Sequence, residues 1–188
     1  MYYIGMIATR NEFTKQLGNR SKFNAAVRNG KLIKISHGLY TDEEIVTNQL
    51  EAIFKRYPNS ILTLDMAFFF YDLTDYIPRT YHIATSQKAH KISEKEVTQI
   101  YISDKYLNIG KTIVNSSWGV INVYDKERML IELFRFENRL GSDFFKEIVK
   151  NYRAAIEKDE IDFLKVSKYC KMFKNGSGLF ERIFDVMI

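Results

Sequence analysis

The stretch TRNEFTKQLGNRSKFNAAVRNGKLIKISHGLYT, residues 9–41, decides the predicted fold of the first part of the chain. Thr9 and Glu12 have the spacing of a capping box, so a first helix is predicted to begin at Arg10. Gly18 is predicted to end this helix, because glycine readily adopts the left-handed conformation that closes a helix. The spacing of the apolar residues in between predicts one buried helix face.

A second helix and a hairpin are predicted to follow at once. Asn19 is a favourable N-cap for a helix covering residues 20–29. Two short apolar segments, residues 31–35 and 39–41, then flank a glycine-containing turn, which predicts a β-hairpin. Helix, turn, helix and hairpin together predict a winged helix-turn-helix. It is a trimmed one, since residues 1–8 are too few for the helix that usually comes first.

Positive charge is concentrated in the same stretch. Residues 1–41 contain seven Lys and Arg and one acidic residue, a net charge of +6, whereas residues 42–188 contain 21 bases and 22 acids, a net charge of −1. A polyanion is the expected partner of such a segment, and double-stranded DNA is the polyanion we predict. The change of charge coincides with the end of the hairpin, so we predict two domains, 1–41 and 42–188.

The predicted second helix presents small, amide and basic side chains on its outer face, which suits a major groove. In such interfaces Asn reads adenine, Arg reads guanine, and Ser or Lys contacts phosphate. The hairpin would add contacts to the DNA backbone. The predicted DNA-binding residues are Arg20, Ser21, Lys22, Asn24, Arg28, Lys31, Lys34 and His37. The alternative is a small helical cap whose charges are only solvated.

The remainder of the chain predicts an α+β domain with a small antiparallel sheet and a C-terminal helical bundle. Four segments have strand patterns, and four later segments have helical patterns. The strands are predicted at 79–85, 97–103, 111–115 and 119–124, and the helices at 125–136, 143–157, 160–173 and 179–187. Arg128 and Glu132 are predicted to form a surface ion pair. The GSG sequence at 176–178 is predicted to be a linker.

The sequence predicts no catalytic site, no metal site and no cofactor. It contains no HExxH, no pair of cysteines and no phosphate-binding glycine motif. No lysine has an acidic residue two positions before it, as metal-dependent nucleases of the restriction-enzyme class require, and no Asp-x-Asp occurs. The acidic residues Asp125, Glu127 and Glu132 are explained by ion pairing and helix capping. We therefore expect that the protein is not an enzyme.

The composition predicts a cytoplasmic protein that does not enter a membrane. The most apolar stretch, residues 61–73, is interrupted by Asp65 and Asp72, and the first residues lack the pattern of a signal peptide. Cys170 is the single cysteine, so no internal disulfide can form, which fits a reducing compartment.

Five runs of sequence, in order, are similar to the antitoxins of the AbiE abortive-infection systems, AbiEi. They are GKLIKISHGLYT, RYPNSILTLDMAFFFYDLTDYIP, RTYHIAT, LNIGKTIV and NVYDKERMLIELFR. The resemblance extends from about Ile7 to the C-terminus, and its most specific parts are LTDYIP at 73–78 and VYDKER at 123–128. The family usually has an arginine before the wing glycine, where this chain has His37, and a longer first helix. Both differences concern DNA binding.

The resemblance implies a bacterial cytoplasmic antitoxin of a two-gene toxin–antitoxin system used in phage defence. In that family the winged helix represses the operon's own promoter, so inverted repeats in that promoter are the expected DNA target. The larger domain counteracts a nucleotidyltransferase-like toxin without a stable complex. From the residues themselves, the aromatic loop 72–78 is the candidate contact surface of this domain, and a purely structural loop is the alternative that the sequence favours. Two alternatives are a winged-helix transcription regulator with an unrelated effector domain, and a nuclease with a winged-helix targeting domain.

Overall fold

The computed structural model describes residues 6–36, 38–42, 49–116 and 119–188. The chain divides into two compact units. The first comprises Met1–Asn59 and Asn115–Ile121, and the second comprises Ser60–Val114 and Asn122–Ile188. The predicted domain boundary near residues 41–44 stays a prediction, because residues 43–48 lie outside the described ranges.

The first unit is built on a three-stranded antiparallel sheet in which the last strand lies in the centre, in the order β1-β3-β2. Two helices connect the first strand to the second. The elements are β1 (Ile7–Thr9), α1 (Arg10–Leu17), α2 (Arg20–Arg28), β2 (Ile33–Ser36), β3 (Leu39–Thr41) and α3 (Gln49–Arg56). The Lys55 ammonium on α3 donates a hydrogen bond to the Ile7 carbonyl on β1.

The predicted starts of both helices are confirmed. The Glu12 N–H donates to Thr9 Oγ1 at 3.3 Å, and the Thr9 N–H donates to Glu12 Oε2 at 2.6 Å, which completes the capping box. Asn19 Oδ1 accepts a hydrogen bond from the Lys22 N–H at 2.9 Å. Gly18 ends α1 with φ 92°, a conformation that favours glycine.

A small apolar cluster holds the two helices on the sheet. Phe13 and Phe23, both buried, meet Ala8 from β1 and Leu32 from the segment before β2. The Tyr40 ring from β3 packs edge-on against Phe23, with ring centroids 4.9 Å apart. Aromatic pairs in this geometry contribute roughly 0.5–1.5 kcal/mol beyond the area they bury. The inward helix face is therefore the one that the apolar spacing predicts.

The rest of the chain has a five-stranded sheet, in the order β6-β5-β4-β8-β7, with helices packed on it. Its elements are β4 (Ile61–Leu62), α4 (Leu64–Phe70), β5 (Tyr81–Ser86), β6 (Val97–Ile102), α5 (Asp104–Leu107), β7 (Lys111–Ser116), β8 (Gly119–Tyr124), α6 (Lys126–Arg135), a 3-10 turn (Glu137–Arg139), α7 (Ser142–Glu157), α8 (Phe163–Cys170) and α9 (Gly176–Met187). The α+β class is confirmed.

The direction of the strands differs from the prediction, because this sheet is mixed and not antiparallel. Strand β4 is antiparallel to β5, but β8 is parallel to β4 and β6 is parallel to β5. The connection between β5 and β6, residues 87–96, is long enough to return the chain to the end of the sheet where β5 begins. The sequence pattern that predicts a strand does not show whether the strand runs parallel or antiparallel to its neighbours.

Helix α6 is buried on all sides, and this corrects the prediction of a surface ion pair. Every residue from Glu127 to Phe134 is buried, and Arg128 and Glu132 are both 0% exposed. The spacing i, i+4 indicates that two side chains can meet, but it does not show what covers them. Here α4, α8 and α9 contact α6.

The predicted linker at residues 176–178 is also wrong, because these residues form the first turn of α9. Gly176 is buried against the preceding helix. A Cβ atom at this position would lie 1.7 Å from the Cys170 carbonyl oxygen, so the close approach of the two backbones requires glycine. No helix within the described ranges is long and apolar enough to cross a membrane.

Candidate nucleic-acid interface

Helix α2 turns one face inward and thereby fixes which side chains point to solvent. Phe23 is 2% exposed, and Ala26 and Val27 pack partly buried against the same cluster. Because a helix has 3.6 residues per turn, Ser21, Asn24 and Arg28 fall on the outer face, along a stripe of about 10 Å.

Seven of the eight predicted DNA-binding residues are exposed, and the eighth, His37, lies outside the described residues. Five of the seven are on α2, and two follow it on the segment that leads into the hairpin. They are Arg20, Ser21, Lys22, Asn24, Arg28, Lys31 and Lys34. The structure thus brings the predicted residues together in the first unit, on one helix and the strand segment after it.

Lys34 lies on the sheet face that meets α2. It is directly opposite Tyr40 in the β2–β3 ladder, and residues opposite each other in an antiparallel pair project from the same face. The Tyr40 ring contacts Phe23 of α2, so this face is the helix-facing one. The Lys34 side chain, itself exposed, therefore extends the basic surface of α2 onto the hairpin.

Arg10 belongs to this surface although the sequence patterns do not single it out. Its Nη2 donates to Asn24 Oδ1 at 3.4 Å, and its guanidinium carbon lies 5.4 Å from the centre of the Phe23 ring. Its backbone N–H donates to the Gly38 carbonyl at 3.1 Å. Arg10 thus links α1, the outer face of α2 and the hairpin turn. The only sequence signal for this role is its positive charge.

The positive charge of this surface is not neutralised within the described part of the chain. No carboxylate there pairs with Arg20, Lys22, Arg28, Lys31 or Lys34. Glu12, the single acidic residue before residue 42, is held in the capping box. The backbone and side-chain hydrogen bonds from Thr9 lower the pKa of Glu12, which keeps this carboxylate ionised at the start of α1. The free cations are available to an anionic partner.

The acidic residues at the start of α6 are engaged in holding helices together. Lys165 Nζ on α8 lies 3.1 Å from Asp125 Oδ2 and 2.9 Å from Glu127 Oε2. The other oxygens accept backbone N–H groups, Asp125 Oδ1 from Arg128 and Glu127 Oε1 from Asp162. All four carboxylate oxygens thus have partners inside the protein.

Two pKa shifts reflect this cluster. Burial alone would lower the pKa of Lys165, but its hydrogen bonds to Glu127 and Asp125 outweigh burial and raise it. Burial and the hydrogen bond to Asp125 raise the pKa of Tyr169 to about 12. Both groups keep their protons at neutral pH, as an ion-paired structural cluster requires. Among the described residues, no group of three His, Cys, Asp or Glu is arranged to hold a metal ion.

The chain matches no protein-family model, and no curated protein is significantly similar to it.

Proposed function

We propose that this protein is a DNA-binding antitoxin and autorepressor of the AbiE type. Its first unit acts as a trimmed winged helix-turn-helix that binds the promoter of its own operon. The remainder of the chain counteracts a nucleotidyltransferase-like toxin encoded in the same operon. The protein is bacterial, cytoplasmic and without enzymatic activity of its own.

The observation that carries the proposal is the exposed basic face of α2, which has no neutralising carboxylates in the described part of the chain. Arg28 on the outer face, with Arg20 and Lys22 beside it in the first turn, provides the electrostatic term that dominates affinity for nucleic acid. The apolar cluster behind Phe23 supports the helix from the other side. A rigid helix with an unpaired basic face is suited to enter a major groove.

The arrangement around α2 supports the assignment to a winged helix. The order β1-α1-α2-β2-β3 is that of a helix-turn-helix followed by a hairpin, and the third strand adds to the same small sheet. Gly18 and Asn19 are the two residues that separate α1 from α2. In this arrangement α2 is the recognition helix, and the hairpin that carries Lys34 is the wing.

The roles on α2 follow from side-chain chemistry. Arg28 can present two parallel N–H groups to the major-groove edge of guanine, and Asn24 can pair with adenine. Arg10 holds the Asn24 carbonyl and thereby restricts the orientation of its amide. Lys22, Lys31 and Lys34 act on phosphates, which positions the protein but does not specify sequence.

The antitoxin role rests on the resemblance, and one surface of the second unit supports it. The loop that follows α4 exposes two large apolar side chains, Tyr76 at 53% and Ile77 at 68%. Exposed apolar groups on a loop can make a brief contact with another protein. The proposed contact with the toxin is transient, so we expect no stable complex.

A winged-helix transcription regulator with a ligand-binding effector domain is the second candidate. A pocket in the second unit, lined by Asp65 and His82, favours it. The two candidates differ in their dependence on a toxin. The regulator would act on its promoter whether or not a toxin gene is present.

Co-expression tests the proposal directly. The full chain is expressed with the nucleotidyltransferase-like gene of its operon, and growth is measured beside a reporter fused to the operon's promoter. We expect growth rescue and repression by the wild type, and rescue without repression by Arg28→Ala. Repression without rescue would contradict the antitoxin role and favour the regulator.

A further inference from the structure

The second unit contains a pocket that promoter binding does not use, and Tyr76 of the proposed toxin-contact loop forms part of its lining. Its volume is about 420 Å³, within the range of roughly 300–1,000 Å³ that is usual for small-molecule sites. Aromatic and aliphatic side chains form most of its lining, among them Tyr76, Phe136 and Phe144. Asp65, His82 and Arg139 add ionisable groups. An apolar pocket with a few polar groups is the usual composition of a ligand site.

Two residues that line this pocket each have a polar atom that is almost fully buried and has no hydrogen-bond partner in the described part of the chain. These atoms are Asp65 Oδ1 and His82 Nδ1. His82 Nδ1 and Asp65 Oδ2 are 3.8 Å apart, which is too long for a hydrogen bond. Buried polar atoms in folded proteins nearly always have partners, so the protein itself leaves the polar groups of Asp65 and His82 incompletely satisfied.

The neighbouring Gln99 differs from Asp65 and His82, because the protein itself provides its hydrogen-bond partners. Its Nε2 donates to Thr85 Oγ1 at 2.8 Å and to the His90 carbonyl at 3.1 Å, and its Oε1 accepts from the Ile92 N–H at 2.8 Å. Gln99 also lines the pocket, but its amide is saturated by the protein. The open hydrogen-bonding capacity at Asp65 and His82 is therefore not a general property of this region.

The charge state of the pair favours a ligand that donates a hydrogen bond. Burial lowers the pKa of His82, although the nearby Asp65 opposes this shift. The imidazole is therefore neutral at pH 7, and it does not neutralise the carboxylate beside it. The Asp65 side chain is 24% exposed, so its carboxylate can accept a hydrogen bond from an N–H group that enters the pocket.

Arg139 supplies the opposite charge elsewhere in the lining. It lies in the 3-10 turn and is exposed, and no carboxylate of the described residues pairs with it. Its guanidinium carbon is 5.2 Å from the centre of the Phe136 ring. Phe144 and Tyr76 form a second aromatic contact, with ring centroids 6.0 Å apart. A ligand with a flat ring could pack on these aromatic side chains, and an anionic group of the same ligand could pair with the Arg139 guanidinium.

We propose that this pocket binds a planar nitrogen heterocycle that carries an anionic group, of the nucleoside monophosphate class. The ring packs against Phe136 and Phe144, and a ring N–H or an exocyclic amine donates to the exposed part of the Asp65 carboxylate. The phosphate pairs with Arg139. This site is additional to promoter binding and toxin neutralisation.

Isothermal titration calorimetry of the full chain tests the proposal. The probes are AMP, CMP, GMP and UMP, with the corresponding nucleosides and inorganic phosphate as separate arms. We expect saturable one-to-one binding of at least one monophosphate. The matching nucleoside should bind about tenfold more weakly, because it lacks the contact with Arg139. Inorganic phosphate alone should not compete.

Three substitutions locate the site. Arg139→Ala should weaken the monophosphate about tenfold and leave the nucleoside unchanged, whereas Asp65→Asn should weaken both. Arg153→Ala, an exposed arginine on α7 outside this pocket, is the matched control and should change neither. Urea unfolding of each variant reports whether the second unit, which carries all three residues, is folded.

A second readout uses the wild type alone. Aromatic NMR signals of Tyr76 and Phe144 should shift on saturation with the bound monophosphate. The proposal is overturned if none of the four monophosphates binds, if inorganic phosphate competes as well as a nucleotide, or if Arg139→Ala binds like the wild type. Such a failure would leave promoter binding intact, and it is therefore separate from a failure of the proposed function.

Discussion

Arg128 and Glu132 form an ion pair in the centre of the second unit, with Arg128 Nε 2.7 Å from Glu132 Oε1 and both side chains 0% exposed. Arg128 Nη1 also donates to the carbonyls of Tyr106 and Ile109, each at 2.9 Å. The guanidinium lies between two rings, 4.5 Å from Tyr124 and 4.7 Å from Phe173. One arginine thus connects α6 with α5, β8 and the segment after α8.

Breaking this pair by removing one partner should destabilise the protein strongly. Glu132→Gln leaves the Arg128 charge buried with its main partner neutralised, so we expect a loss of about 3–5 kcal/mol in the free energy of unfolding. The double variant Arg128→Met, Glu132→Leu removes both charges and should recover most of this loss. Urea denaturation of the wild type, Arg128→Met, Glu132→Leu and the double variant measures the coupling as a double-mutant cycle.

The exposed pair Lys88–Asp104, 3.6 Å apart, provides the control for that experiment. Lys88→Ala should leave the unfolding midpoint unchanged, because solvent-exposed ion pairs contribute little. If Glu132→Gln unfolds at the same urea concentration as Lys88→Ala, the Arg128–Glu132 pair does not stabilise the second unit.

The capping box at the start of α1 should stabilise the first unit measurably. Thr9→Ala removes the side-chain oxygen that accepts the Glu12 N–H and should cost about 1 kcal/mol. Thr9→Ser keeps this oxygen and is the matched control. Thermal or urea unfolding of the two variants checks the difference, and equal stabilities would show that the cap is not formed in solution.

The same cap predicts a pH dependence. The pKa of Glu12 is lowered in the folded protein, so its contribution to stability is complete above the unfolded value of 4.5 and is lost as pH falls through the folded value. Unfolding measured at pH 7 and at successively lower pH should show Glu12→Gln, which removes the titrating carboxylate, approaching the wild type. A difference that stays constant to the lowest pH would contradict this assignment.

The lowered pKa of His82 predicts a second pH dependence of the free energy of unfolding, at higher pH than that of Glu12. Burial lowers its pKa from 6.5, so the unfolded chain binds a proton more readily than the folded protein does just below pH 6.5. The free energy of unfolding should therefore decrease as pH falls through this range. His82→Asn should remove that part of the decrease, as measured by urea unfolding between pH 7.5 and 5.5. Superimposable pH profiles for the variant and the wild type would contradict the prediction.

The first unit could be predicted largely from sequence, because its signals act over three or four residues. The capping box at Thr9, the cap at Asn19 and the inward Phe23 all depend on close neighbours in the chain. The exposed face of α2 follows from the same periodicity. The contact between Arg10 and Asn24 does not, since it requires α1 and α2 to be folded against each other.

The second unit was less predictable, because its features depend on residues far apart in the chain. The parallel pairing of Leu62 with Val123 joins strands about sixty residues apart. The pocket brings Asp65 and His82 together with Arg139 from beyond α6. The burial of Arg128 depends on the carbonyls of another segment and on Phe173. Sequence patterns over a few residues identify these charged side chains, but they do not show which distant segments pack on them.

Lys34 should contribute to DNA affinity without contributing to sequence preference. Lys34→Ala should remove one proposed phosphate contact, so binding should weaken equally on all sequences, and the slope of log affinity against log salt should decrease by about 1. Lys150→Ala, an exposed lysine on α7, is the control and should leave the slope unchanged. Fluorescence anisotropy between low and high salt measures both. A slope that Lys34→Ala does not change would remove the hairpin from the interface.

The central claim is that Arg28 on α2 reads the operon's own promoter. The most direct measurement is the affinity of wild type, Arg28→Ala and Arg28→Lys for the upstream promoter fragment and for a shuffled fragment of equal length at one salt concentration. Arg28→Ala should lose about 1–3 kcal/mol on the promoter and much less on the shuffled fragment. Arg28→Lys keeps the charge but not the paired N–H groups, so it should retain binding and lose preference. If Arg28→Ala keeps the wild-type affinity and preference, α2 is not the recognition helix.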